Sequence, residues 1–114
     1  LTDRPERFFV SEIIREKILF QFDQEIPYSV EVVVEEFEEK PHIVRIRAVI
    51  YVMRESQKGI LLGEKGSAIK KLGTSSRIDI EKFLNQRVFL ELFVKVDPDW
   101  RDSERQLKRY GYLK

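Results

Sequence analysis

A chain of 114 residues has the size of one domain with one hydrophobic core, and 42% hydrophobic with 36% charged residues describes such a core beneath a heavily solvated surface. With no cysteine and a single histidine, His42, a disulfide framework and a zinc site built from thiolates and imidazoles are excluded. The net charge of +1 gives no polyanion-binding signal on average, so any basic footprint has to come from how the charges are distributed.

Asp3, Pro5 and Glu6 form a capping box that opens the first helix. Phe9, Ile13 and Phe20 fall at spacings of four and seven beside a parallel row of Val10, Ile14 and Ile18, which predicts one broad apolar face through about Phe22, with Pro27 beyond its end. From Tyr28 to Phe37 the period is two, with Val30, Val32 and Val34 on one side and Glu31 and Glu35 on the other: a half-buried strand with an acidic outer face. The polar run Glu38 to His42 is a turn. Ile43 to Met53 alternates again through Val44, Ile46, Ala48, Ile50 and Val52, so the two strands form a hairpin.

At Ser56-Gln57-Lys58 a short helix begins, the segment Gly63 to Gly66 breaks it, and Ser67, a candidate cap, starts a longer helix to about Leu84. Its inward stripe is Ala68, Ile69, Leu72, Ser76, Ile80 and Phe83, with Gly73 suited to close packing. Arg87 to Val96 is a third strand, apolar enough for both faces to be partly covered. Pro98 stops it, and a tail helix anchored by Trp100 runs around Asp102 to Arg109. The fold class is α+β: one domain over residues 1–114, with a three-stranded mixed sheet, a right-handed crossover through two helices and the helices on one face. No apolar run reaches bilayer-spanning length and the first residues lack a signal-peptide pattern, which gives the cytoplasm as the expected location.

The most informative stretch is Ile60-Leu61-Leu62-Gly63-Glu64-Lys65-Gly66-Ser67-Ala68-Ile69-Lys70. Glycine at both ends of the turn removes side chains where a phosphate backbone can pass close to the main chain, and the next helix aims its positive dipole end at the same spot. Lys65 adds a mobile positive charge. A P-loop needs four residues between its glycines followed by Lys and Ser or Thr, an order that fails here, and a dinucleotide fingerprint lacks its strand. An isolated Gly-x-x-Gly is usually a plain helix-helix turn; a helix on each side of it, and a strand beyond each helix, give this one its meaning.

That strand-helix-loop-helix-strand core resembles the KH domain, whose Gly-x-x-Gly loop clamps roughly four nucleotides by their backbone. With an additional helix and strand ahead of it, the chain is similar to the type II arrangement. The segments Asp3-Arg4-Pro5-Glu6-Arg7-Phe8, Glu12-Ile13-Ile14-Arg15-Glu16-Lys17, Pro27-Tyr28-Ser29-Val30, Ser56-Gln57-Lys58-Gly59-Ile60, Val88-Phe89-Leu90-Glu91-Leu92 and Gly111-Tyr112 resemble the C-terminal domain of the Era-type ribosome-assembly GTPases. The resemblance implies a parent protein with an N-terminal GTPase domain, to which GTP and Mg would belong, with no cofactor in this chain. It also implies a role in small ribosomal subunit maturation, recognition of the single-stranded 3′ end of small-subunit ribosomal RNA, a monomer, and a location that can extend to the inner face of the cell membrane. Glu64 departs from the basic residue often found at that loop position, which weakens the clamp.

Between Ser56 and Arg87 seven basic residues stand against three acidic ones, the asymmetry a near-neutral RNA binder needs. The expected RNA-binding residues are Lys58, Ile60, Leu61, Gly63, Glu64, Lys65, Gly66, Ser67, Ile69, Lys70, Lys71, Arg77 and Arg87. Ile60, Leu61 and Ile69 would offer an apolar floor for unstacked bases, although Ile69 also fits core packing, and Arg87 would lead the strand on the groove's other wall. Phe9, Phe20, Phe83 and Phe93 fit buried stripes and are read as core. Arg101, Arg105, Lys108 and Arg109 make a second basic patch, for RNA or for solvent. The alternative function is a protein docking module that uses the acidic strand, Glu31 and Glu35, against the GTPase domain or a ribosomal protein. A hydrolase or transferase lacks a nucleophile pair or metal constellation.

Overall fold

The computed structural model describes residues 4–23 and 26–99. In chain order they form α1 (Arg4–Gln21), a 3-10 turn (Ile26–Tyr28), β1 (Glu31–Glu39), β2 (Val44–Val52), α2 (Glu55–Leu62), a second 3-10 turn (Glu64–Gly66), α3 (Ser67–Leu84) and β3 (Val88–Val96). The Asp3 cap, Trp100 and the tail helix expected around Asp102 to Arg109, with its basic patch, lie outside the described residues.

The sheet has the order β1-β2-β3, β1 antiparallel to β2 and β2 parallel to β3, so the expected mixed sheet is present. The parallel pairing needs a long crossover, and α2 and α3 supply it. β1 begins three residues later than the alternation predicts, behind the 3-10 turn Ile26–Tyr28, and ends two residues later; within it the register shifts between Val34, opposite Ala48, and Glu36, opposite Arg47. The extra residue, Glu35, is a β-bulge that lets Phe37 rather than Glu36 face the core; Val32, Val34 and Phe37 are all buried.

The core fills the space between one sheet face and the helices. Val10, Ile14 and Ile18 of α1 are completely buried, as are Leu72 and Ile80 of α3 and Val44, Ala48, Ile50 and Val52 of β2. Full burial of such a side chain stabilises by about 1.5–3 kcal/mol. The phenylalanines depart from expectation: Phe9, Phe20, Phe83 and Phe93 are 48%, 80%, 45% and 43% exposed. Phe9 and Phe83 stack across the α1–α3 seam, ring centroids 5.5 Å apart. Phe93 and Phe89 lie on the outer sheet face beneath Arg47 (5.4 Å) and Arg45 (4.9 Å). The valine and isoleucine row owns the interior of α1, and the bulkier row rides its edge. An added Cβ at Gly73 would meet Leu92 Cδ1 at 3.8 Å, an ordinary contact, so glycine is not required there for close packing.

Two polar links fix the second half of α3. The carboxylate of Glu81 accepts from Arg77 (3.0 Å) and from the backbone N–H of Val88 (2.9 Å), and so holds the turn into β3, where Asn85 adopts a left-handed φ of 56°. Replacing Glu81 by Ala leaves the part-buried Val88 N–H without its acceptor; urea unfolding is expected to show a loss of about 1–2 kcal/mol, most of it restored by Glu81→Gln. The second link joins α1 to α3, Lys17 Nζ lying 2.6 Å from Asp79 Oδ2. The hydrogen bond from Lys17 holds the Asp79 carboxyl below its usual 3.8, against the opposing effect of burial, with the charges of Lys17 and Lys82 adding to the depression. A depressed aspartate contributes stability above its unfolded pKa and loses it as pH falls through the folded value. Thermal midpoints of the native protein and Asp79→Asn should therefore differ near neutrality and converge in acid.

Candidate nucleic-acid interface

The turn between α2 and α3 is built by three consecutive constraints. Gly63 has φ 74° and ψ 177°, a backbone region open essentially to glycine alone. An added Cβ there would lie 2.6 Å from Ala68 Cβ and 2.7 Å from Ala68 N. Lys65 is left-handed (φ 56°, ψ 28°), and Gly66 (φ 76°, ψ 14°) becomes the N-cap of α3. A Cβ at Gly66 would meet nothing within 4 Å, so one glycine is enclosed against α3 while the other faces open space. The Gly63 N–H donates to the Gly59 carbonyl (2.9 Å) and the Gly66 N–H to that of Gly63 (3.2 Å), which closes the turn from within and leaves Glu64 and Lys65 exposed.

The first turn of α3 receives no hydrogen bond from a capping side chain and contains no acidic residue. The leading N–H groups of an α-helix lack intrahelical acceptors, and the dipole adds about half a positive charge at that end. Ser67, the expected cap, is instead the first helical residue, behind the Gly66 cap, and is exposed. Lys65, Lys70 and Lys71 are exposed and Lys58 half-buried; none of the four forms an ion pair among the described residues. Ile60 is 52% exposed, and Ile69 packs half-buried on the core.

Three expected site residues fall elsewhere. Leu61 is fully buried: on α2 its position points inward beside Gln57, so it is core and offers bases no surface. Arg77 lies ten residues into α3, about 15 Å along the axis from the loop, with its guanidinium on Glu81. Arg87 precedes β3, at the end of the sheet where α3 finishes. The 18 residues of α3 separate it from the loop by about 27 Å, so it walls no groove there.

One contributor has no counterpart among the expected residues: Gln21 Nε2 donates to the Ala68 carbonyl (2.8 Å) and ties the end of α1 to the first turn of α3. Their separation of 47 positions leaves no local signal in the sequence. The acidic face of β1 is also more engaged than its composition suggests. Glu31 pairs with Arg15, Tyr51 donates to Glu35 (3.2 Å), Glu36 meets Arg47 at 3.2 Å, and Glu38 approaches Arg45 at 4.0 Å.

Comparison with known proteins matches residues 25–101 to the KH domain model. The chain is 50% identical over 112 residues to GTPase Era of Rippkaea orientalis, covering 98% of this chain and 36% of that protein. It is 53% identical over 113 residues to GTPase Era of Geotalea uraniireducens, covering 98% and 38%. The chain thus spans between a third and two fifths of the length of these curated relatives. Among solved structures, Aquifex aeolicus Era bound to GDP·AlF4− superposes with a TM-score of 0.86 at 36% identity, over 96% of this chain and 38% of that one. Era in complex with MgGDPNP and nucleotides 1506–1542 of 16S ribosomal RNA gives 0.85 at 36% identity, over 95% and 37%. On the family match and on the fold alike, this chain belongs to the KH domain family, in the form carried by the Era GTPases.

Proposed function

We propose that this domain binds single-stranded RNA through the Gly63–Gly66 turn, as the RNA-gripping part of a GTPase that acts on the 3′ end of small-subunit ribosomal RNA during small ribosomal subunit assembly. The observation that carries the reading is an exposed turn, bare of side chains at its open glycine, set against a helix N-terminus with neither a side-chain cap nor a carboxylate. A sugar-phosphate backbone is the ligand such a surface suits: phosphates take the positive end of the α3 dipole and the unpaired lysines, while Ile60 and Ile69 offer apolar contact to splayed bases. The complex of a related Era with 16S ribosomal RNA nucleotides supports the choice of RNA and of its source. Glu64 sets a limit on affinity, since its carboxylate stands beside the phosphate path.

Under this reading the domain acts as a monomer and leaves GTP hydrolysis to its parent protein. The alternative docking role for β1 is less favoured, because Glu31 and Glu35 already have partners within the domain. Titration of a labelled single-stranded RNA tests the proposal. Three or four phosphate contacts give a log–log salt slope of roughly −2 to −3, and Glu64→Asp combined with Lys65→Asp should weaken binding at unchanged thermal stability. Superimposable binding curves would overturn it.

A further inference from the structure

The Gly63–Gly66 turn is held on the α2 side by its own backbone, the Gly63 N–H donating to the Gly59 carbonyl. On the other side Gly63 rests against Ala68, whose Cβ would stand 2.6 Å from one added to the glycine. None of Glu64, Lys65 and Gly66 is buried, so packing contributes little to fixing the outward part of the turn. A side-chain cap does not fix it either, since α3 receives none. Among the described residues, the one side chain outside α3 that hydrogen-bonds to any residue from Gly63 to Lys70 is Gln21, whose Nε2 donates to the Ala68 carbonyl at 2.8 Å. Gln21 is itself firmly placed. It ends α1 between the buried side chains of Ile18 and Phe22, and the Phe22 N–H continues the helical ladder past it by donating to the Ile18 carbonyl (3.0 Å).

We propose that Gln21 is a positioning residue for the RNA grip: its amide holds the first turn of α3, and through Ala68 the enclosed Gly63, in the arrangement that presents Lys65, Lys70 and the positive end of the α3 dipole to one sugar-phosphate path. The inference rests on the RNA-binding role of the turn. Gln21 acts through Ala68 and not on the RNA. Inside α3 the Ala68 carbonyl also accepts from the Leu72 N–H in the ordinary helical pattern. A carbonyl oxygen has two lone pairs, so the bond from Gln21 adds a tie between the helices without breaking the ladder. Leu72, fully buried, anchors the inner end of that first stretch of α3, and Gln21 anchors the outer end. A turn already ordered when the RNA arrives binds without the entropic cost of ordering it at that moment. With the donor gone, the first turn of α3 is freer to pivot on Leu72, and each phosphate contact is made at the expense of that freedom.

The test compares the native domain with Gln21→Met, which keeps the side-chain length and net charge and removes the donor, and with Glu81→Ala, which removes the acceptor of the Val88 N–H at the far end of α3. A labelled single-stranded RNA with the sequence of the 3′ end of small-subunit ribosomal RNA is titrated against each at several salt concentrations. Loss of one part-buried hydrogen bond gives an expected weakening of roughly fivefold for Gln21→Met, at the native salt slope because no charged contact is removed. Glu81→Ala is expected to bind as the native domain does, since a loss of stability of that size leaves nearly all molecules folded. In the absence of RNA, the 15N amide resonances of Gly63 to Leu72 should move in Gln21→Met and stay in place in Glu81→Ala. Native affinity in Gln21→Met, equal weakening in both variants, or unmoved Gly63 to Leu72 resonances in Gln21→Met overturns the positioning role alone. Failure of the native domain to bind the RNA overturns the role of the turn and this inference with it.

Discussion

Gly63→Ala is expected to destabilise the domain by about 2–4 kcal/mol in urea unfolding, while Gly66→Ala costs only about 1 kcal/mol. Both positions have positive φ, 74° and 76°, so φ alone does not separate them. The rest of the backbone conformation and the surroundings do. At Gly63 ψ is 177°, which adds a strained backbone region to a Cβ lying 2.6 Å from Ala68 Cβ. At Gly66 the conformation is ordinary left-handed helix, and the added methyl projects into open space. A domain of this size has about 5–15 kcal/mol in total, so Gly63→Ala removes a substantial share and pushes apart the two helices that frame the turn. The methyl at Gly66 stands where a phosphate backbone would pass, and the pair of variants therefore separates folding from binding. Equal stability losses at the two glycines would contradict the geometry.

The largest effect on binding is expected from reversing Lys65, Lys70 and Lys71 together to Glu. All three are exposed and without ion pairs among the described residues, so their charge is free for a ligand and their loss breaks no contact within the fold. Each neutralised phosphate on a single strand contributes about −0.7 to the log–log salt slope. Removing three such contacts should flatten the slope by about 2 and lower affinity at low salt by at least a hundredfold, with unfolding little changed. Arg77→Glu is the contrasting case. That guanidinium is committed to Glu81 in the far half of α3, so its reversal is expected to act on stability and leave the salt slope in place.

Much of this architecture is legible in the residues themselves. The boundaries Ser67 to Leu84 follow from Gly66 before the apolar stripe and from the loss of period at Asn85, and α3 has those limits. The hairpin and the parallel crossover follow from two alternating runs, two helical ones and a third alternating run. Periodicity says which residues share a face, and it does not say which of two adjacent rows lies deepest. On α1 the Val10 row and the Phe9 row are neighbours, and close packing against the sheet selects the smaller β-branched side chains for the interior.

The same limit explains Leu61. Next to an exposed Ile60, it looks equally available in the sequence until the helix is rotated onto its core. Closeness in sequence to β3 suggests Arg87 for the groove, but the direction of that strand, fixed by pairing with β2, carries it away from the turn. The β-bulge at Glu35 announces itself only as a break in alternation, and the bond from Gln21 to Ala68 depends wholly on tertiary packing.

The most direct test of the central claim, that the turn and the start of α3 meet the RNA backbone, is nuclear magnetic resonance of the 15N-labelled domain titrated with an unpaired oligoribonucleotide. The expected result is that the largest amide shifts cluster from Gly63 to Lys70. Shifts confined to the outer face of β1 and β2, around Glu35 and Arg47, or none at saturating RNA, would contradict it.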